Sequence, residues 1–390
     1  MELLKYIKKK ILAIDYFLIF LICALSIFGI IVIGSITNIN ITGHSSEQQS
    51  QIIFFITGLI LLLIFSLIDY KFILNGYWII YALNLILLIS VLFIGEGRGQ
   101  VMRQIPLPLD LGTIQPSQFA KLFMLLFLSK FLDKYKEHIN QFSMIIVTVI
   151  LMAIPVLLII IQPSLSAGLV VMLLSLTLIF LSGISYKLIL TTLAGIVPIL
   201  TLLILDIQQA PNHFFVNRIL EPYQINRILT AFSPSDQTGD LFFQQYVARQ
   251  ALGSGQVVGQ GLYGGIINQI GRLPEAHNDF IFAVIGEEFG FIGANLVIFT
   301  IFLLIIKCCY VAYKTPEPSG KFVAAGAGAI LFFQTFIHIG VVTGELPNTG
   351  INLPFISHGG SSLWVLMIIM GIVINVGTDK PKKSIFEEED

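Results

Sequence analysis

Ten long apolar runs govern what this chain can fold into. They cover approximately residues 14–36, 52–69, 74–94, 117–132, 143–161, 165–182, 186–205, 280–306, 322–344 and 359–377. About 20 apolar residues of helix cross a bilayer core. An open sheet cannot, because its edge amides would go unpaired in lipid. The runs therefore predict an all-α polytopic membrane protein. We expect a ten-transmembrane-helix bundle, one domain over residues 1–390, with a large extracytoplasmic loop (about 206–279) between helices 7 and 8. Composition agrees: 56% of residues are hydrophobic and 12% are charged, half the charge of a typical soluble chain. A soluble enzyme, a disordered chain and a disulfide scaffold are excluded. A net charge of −1 supplies no basic field for nucleic acid. Cys23, Cys308 and Cys309 sit in apolar runs or at their ends, so no disulfide framework is expected.

The placement of Lys residues orients the bundle. With the N-terminus inside, the basic residues near 5–10, 71, 130–136, 187, 307–321 and 380–383 all fall on the inner side. The short outer loops 37–51, 162–164 and 345–358 carry neither Lys nor Arg. This asymmetry places both termini in the cytoplasm. It also marks two outer segments, 95–116 and 206–279, as long enough to carry function.

Polar residues at the outer ends of apolar runs are the candidates for chemistry, because a charge in lipid needs a partner or a wet cavity. In LPEAHNDFIFAVIGEE (273–288), Glu275, His277 and Asp279 precede a helix and Glu287 and Glu288 lie two turns deeper. Asp279 can cap that helix, or accept a proton from a substrate hydroxyl at the water–lipid boundary. Asp279 and Glu275, with His277, could also hold a divalent cation such as Mg or Mn, and no other cofactor is indicated. In IQPSQFAKL (114–122), Pro116 and Ser117 open a helix, Gln118 follows, and Lys121 projects one turn in. Lys121 can snorkel to the headgroups or offer a fixed cation to a phosphate. In GELPNTGINLPFISHGGSSL (344–363), Ser357 and His358 precede small residues suited to close backbone approach or to a re-entrant loop. The glycine-rich stretch 253–265 lacks the ending of a nucleotide loop and reads as flexible or close-packed backbone.

Together these stretches resemble the SEDS family (shape, elongation, division and sporulation), the RodA/FtsW/SpoVE-type cell-wall polymerases. The similarity runs through IQPSQFAKL, QPSLSAG (162–168), Gly253–Gly271 with LPEAHNDFIFAVIGEEFGFIG, and NTGINLPFISHGGSSL, in that order. GINLPF is most like the rod-shape, elongation branch. The resemblance implies an inverting peptidoglycan glycosyltransferase that polymerises lipid II at the outer face of the cell membrane, beside a class B penicillin-binding protein and among membrane lipids. It makes Asp279 the base, and Lys121, with Arg103 or Arg227 or a divalent ion, the counter-charge for the leaving pyrophosphate. Glu275, His277, Glu288, Gln118, Ser357 and His358 are the other expected substrate-binding residues. The chain departs from the family pattern at Gln118 and Ser164, where acids are usual, at His358, where Tyr is usual, and at Arg103–Gln104. A lipid II flippase and a non-catalytic scaffold for the penicillin-binding protein are the alternatives.

Overall fold

The computed structural model describes residues 14–37, 46–95, 104–106, 113–162, 164–185, 240–269, 271 and 273–379. The seventh run (186–205), Arg103, Arg227 and the first part of the large loop lie outside the described residues. Among the described residues the regular structure is helical, apart from one short two-stranded antiparallel ribbon. In order the elements are α1 (Tyr16–Thr37), α2 (Ser46–Leu67), α3 (Tyr70–Asn75), α4 (Tyr77–Ile94), β1 (Ile105–Pro106), β2 (Thr113–Ile114), α5 (Pro116–Lys134), α6 (Phe142–Ile161), α7 (Leu165–Leu181), α8 (Asp240–Ser254), α9 (Ile266–Gln269), α10 (Ile281–Lys314), α11 (Pro318–Thr343) and α12 (Gly360–Gly377).

Seven of the described helices, α1, α2, α4, α6, α10, α11 and α12, are long and apolar enough to cross a membrane. Helix α7 is apolar but shorter. Helix α5 coincides with the fourth run and carries Lys121, Lys130, Asp133 and Lys134. Helix α12 forms the centre, packed along α2 and touching α5, α10 and α11. Nearly every residue of α12 is buried. Helices α4 and α6 form an outer layer whose large apolar side chains, among them Ile79, Ile86, Phe93, Ile150 and Leu157, remain exposed. Such a surface suits lipid and would be unsupportable in water.

One expectation needs correction. The run at 280–306 is not one straight span. Gly290 adopts φ 63°, ψ −164°, and breaks α10 into a half-helix (281–289) and a longer segment (291–314). A non-glycine residue would be strained at that φ. Glu287 and Glu288 therefore lie in the half-helix, not inside a continuous span. The described part of the large loop carries a helix, α8, with one face against protein. Val247, Ala248 and Ala251 are buried, and α8 packs on α10 and α11. The Gln245 side-chain amide donates to the carbonyls of Val341 (3.0 Å) and Leu346 (2.8 Å), fixing α8 to the end of α11.

Ion pairs close the end of the bundle that holds Asp15 and Asp379. Lys307 meets Asp15 at 2.7 Å and Lys71 meets Asp379 at 2.7 Å. Tyr70 donates its hydroxyl to Asp379 at 3.0 Å. Asn375 accepts from the Tyr70 amide (3.0 Å) and donates to the Ser66 carbonyl (2.7 Å), tying α12 to the turn after α2.

Candidate active site

At the opposite end of α12 the helices leave a cavity of about 390 Å³. Its walls come from four chain segments that the sequence motifs mark. Gln115 and Gln118 come from the start of α5, Ser164 and Ser166 from the start of α7, Asn278 and Asp279 from just before α10, and Gly359 to Ser362 from the start of α12. Gly350, Asn352 and His358 complete one side, with Gln104 and Thr113 of the ribbon on the other.

Each of those helices, α5, α7, α10 and α12, begins at this cavity with no side-chain cap hydrogen bond. A helix N-terminus carries orphan N–H groups and about half a positive charge. Several such ends around one polar cavity make it favourable for an anion even without a Lys or Arg among the described wall residues. The sequence signal was present, since Q-P-S, Q-P-S, H-N-D and G-G-S-S each precede an apolar run. What the sequence could not show was that the four starts meet.

Hydrogen bonds fix the wall. The hydroxyls of Ser117 and Ser164 meet at 3.3 Å, joining the openings of α5 and α7. Ser361 accepts from the Gln115 amide at 3.0 Å and donates to the Thr113 carbonyl at 3.3 Å. Ser166 donates to the Gly350 carbonyl at 3.1 Å. Asp279 stands beside that same glycine, because a Cβ added to Gly350 would lie 2.9 Å from Asp279 Oδ2. The loop that carries Asp279 is held from two sides. Its amide donates to the Glu275 carbonyl at 3.1 Å. Ser357 accepts from the Leu353 amide and donates to the Asn278 carbonyl, both at 2.8 Å.

The expected residues divide into three groups. Asp279, Gln118 and His358 line the cavity. Gln118 is 8% exposed, and its Oε1 finds no partner among the described residues. His358 Nε2 is likewise unpartnered there. Burial and the neighbouring His277 hold the His358 imidazole below its ordinary pKa, against a smaller upward pull from Glu47. Ser357, Glu275 and His277 support the rim rather than the wall. His277 Nε2 lies 3.9 Å from Glu275 Oε2, and its ring meets His358 nearly edge-on at 5.7 Å. Lys121 and Glu288 form the third group, because neither lines the cavity. Lys121 sits one turn inward from Gln118 and is 1% exposed, which removes the snorkelling alternative. Glu288, also 1% exposed, lies beside Ser35 and Asn268 instead. Among the described residues no three His, Cys, Asp or Glu side chains are grouped to hold a metal ion.

Comparison with known proteins gives a consistent picture. The FtsW/RodA/SpoVE family, described as cell cycle proteins, matches residues 15–382. The probable peptidoglycan glycosyltransferase FtsW of Bacillus subtilis is 33% identical over 380 residues, covering 95% of this chain and 92% of its own. The peptidoglycan glycosyltransferase MrdB of Escherichia coli K12 is 30% identical over 374 residues, covering 94% of each chain. One solved chain superimposes with a TM-score of 0.77 at 25% identity, covering 94% of this chain and 98% of its own; it belongs to the structure "Structural coordination of polymerization and crosslinking by a peptidoglycan synthase complex". The rod shape determining protein RodA of Thermus thermophilus has the same fold, with a TM-score of 0.68 at 24% identity, covering 95% and 99% of the two chains.

Proposed function

This chain belongs to the FtsW/RodA/SpoVE family, and from that premise we propose that it is a peptidoglycan glycosyltransferase that polymerises lipid II in the cavity holding Asp279. The observation that carries the reading is Asp279, the one carboxylate among the described residues of that wall, standing among four helix N-termini that have no side-chain cap. A glycosyl transfer from a polyprenyl diphosphate needs both features. A base must take the proton of the attacking sugar hydroxyl, and fixed positive charge must meet the negative charge that grows on the departing diphosphate.

In the reaction we propose, the acceptor hydroxyl attacks the anomeric carbon of the donor as the bond to the diphosphate breaks, with inversion. Asp279 takes the proton. The helix ends attract the diphosphate, and Lys121 adds positive charge from behind the Gln118 wall. At short range in a protein interior such a charge acts more strongly than it would in water. The unpaired Gln118 Oε1 accepts from a substrate hydroxyl or amide. A lipid-linked substrate also explains why a transferase is built from apolar helices, since the polyprenyl tail stays in the membrane while the sugars reach the cavity. We further infer ten spans in the cytoplasmic membrane, both termini cytoplasmic and the cavity on the outer face. The supporting observation is the one-sided distribution of Lys. A class B penicillin-binding protein is the proposed partner, supported by the likeness to a chain of a synthase complex that couples polymerization and crosslinking.

The test is polymerisation of labelled lipid II by the purified chain with its transpeptidase partner. Wild type yields glycan polymer and Asp279→Asn yields none. Translocation without polymer from either would favour a flippase; neither activity would favour a scaffold.

A further inference from the structure

The break in α10 has a specific hydrogen-bond exchange behind it. In an unbroken helix the Phe291 amide would donate to the Glu287 carbonyl and the Ile292 amide to the Glu288 carbonyl. Here those amides donate to Gln256 (2.9 Å) and Val257 (3.1 Å), while the two carbonyls accept from Gln260 (3.0 Å) and Gly261 (2.9 Å). The glycine-rich segment is thus inserted into the helix, and these four groups freed by the break are paired again, as buried backbone requires. Only glycine permits this approach. A Cβ at Gly255 would collide with the Gly286 carbonyl, and one at Gly259 with the Glu288 carbonyl.

One side chain secures the far end of the insert. Glu287 is fully buried, and its two carboxylate oxygens accept from the amides of Ile267 (2.6 Å) and Asn268 (3.1 Å). A carboxylate accepting two amides makes stronger bonds than a neutral acceptor. The half-helix clamped in this way begins at Ile281, two residues after Asp279. Releasing the insert would let α10 recover its two native helical bonds and straighten, which would swing the end that carries Asp279.

We propose that Glu287 is a positioning residue for the transfer: by bonding Ile267 and Asn268 it locks segment 256–268 into the break of α10 and so sets where Asp279 stands in the cavity. The proposal rests on Asp279 acting as the base.

The experiment uses the full chain with its transpeptidase partner and labelled lipid II, comparing wild type, Glu287→Gln and Gly253→Ala. Gly253 is in the same stretch, but a Cβ there meets nothing within 4 Å. Amide hydrogen exchange is read in parallel, because it separates local opening from global unfolding. Misplacing a reacting group by about 1 Å can cost about 100-fold in rate. Glu287→Gln is therefore expected to lower kcat by about 10- to 100-fold while KM stays within about 3-fold. Exchange should quicken in 256–268 and stay slow in α11 and α12. Gly253→Ala should match wild type in both readouts, and Gly255→Ala should reproduce the Glu287→Gln pattern. The lock is overturned by a wild-type kcat in Glu287→Gln, by lost kcat with unchanged exchange in 256–268, or by exchange that rises equally through α11 and α12. A wild-type enzyme that makes no polymer sinks the transferase reading instead, and the exchange comparison then decides the lock by itself.

Discussion

The two ends of helix α12 are both polar and both hollow, yet they are built on opposite principles. At the Asp379 end a cavity of about 330 Å³ is lined by Asp15, Lys314 and Asp379, and both acids are already engaged by Lys307, Lys71 and Tyr70. At the Asp279 end the wall holds buried polar atoms with no partner among the described residues, Gln118 Oε1 and His358 Nε2, and four helices begin without a side-chain cap. Unmet polar groups are costly in a fold and persist where something else satisfies them. The first end is closed by the chain's own ion pairs, whereas the second, on the reading proposed above, is completed by the substrate.

The sharpest way to break this contrast is to neutralise one acid at each end. Asp279→Asn should lower polymerisation by about 1,000-fold or more, in the range of general base removal. Asp379→Asn should leave activity within about 2-fold and cost at most about 1 kcal/mol, since partly exposed ion pairs contribute little. Comparable activity losses at the two ends would erase the distinction.

Lysines offer a second pair. Lys121→Met should lower kcat by about 100-fold, while thermal unfolding shows stability unchanged or raised, because a buried charge replaced by an apolar side chain of similar size often costs nothing. Lys71→Met, whose partner is the half-exposed pair with Asp379, should leave kcat unaltered. A destabilised but active Lys121→Met would make Lys121 a structural residue.

The outline of the fold was legible because lipid imposes one rule on every span, a run of apolar residues long enough to cross. Asp279 was legible as a carboxylate at the mouth of such a run. The break at Gly290 was not. Glu287 and Glu288 interrupt the apolar run just before FGFIG, but adjacent acids do not by themselves signal a break, and its cause lies about thirty residues earlier, in backbone that replaces helical bonds. The burial of Lys121 was hidden for a similar reason, since a Lys one turn into a helix reads the same whether its neighbour is lipid or protein. The choice between flexible and close-packed glycine backbone at 253–265 needed the half-helix on which it lies.

Smaller effects sharpen the picture of the Asp279 end. Ser357→Ala removes the hydroxyl that bridges Leu353 and Asn278. Steady-state assays should show about a 10-fold loss in kcat, matching the roughly 1–3 kcal/mol cost of an unsatisfied buried group beside the base. The least effect belongs to pH. Burial and His277 lower the His358 pKa in the folded state, so the unfolded chain binds its proton first as pH falls. Stability from this residue is full above the ordinary histidine value of 6.5 and is lost as pH drops below it toward the folded value. His358→Gln should flatten that part of the stability–pH curve, measured by thermal unfolding between about pH 7 and 5. An unchanged slope would show that another group governs it.

The central claim is that lipid II is processed in the cavity beside Asp279, on the outer side of the membrane. Its most direct test places a single cysteine at Ser361, on the cavity wall, in a chain lacking Cys23, Cys308 and Cys309. A membrane-impermeant maleimide is then applied to intact cells and to the purified protein with and without lipid II. The account predicts that Ser361→Cys is labelled from outside and protected by lipid II. Labelling from the cytoplasmic side alone, or labelling that lipid II leaves unchanged, would contradict it.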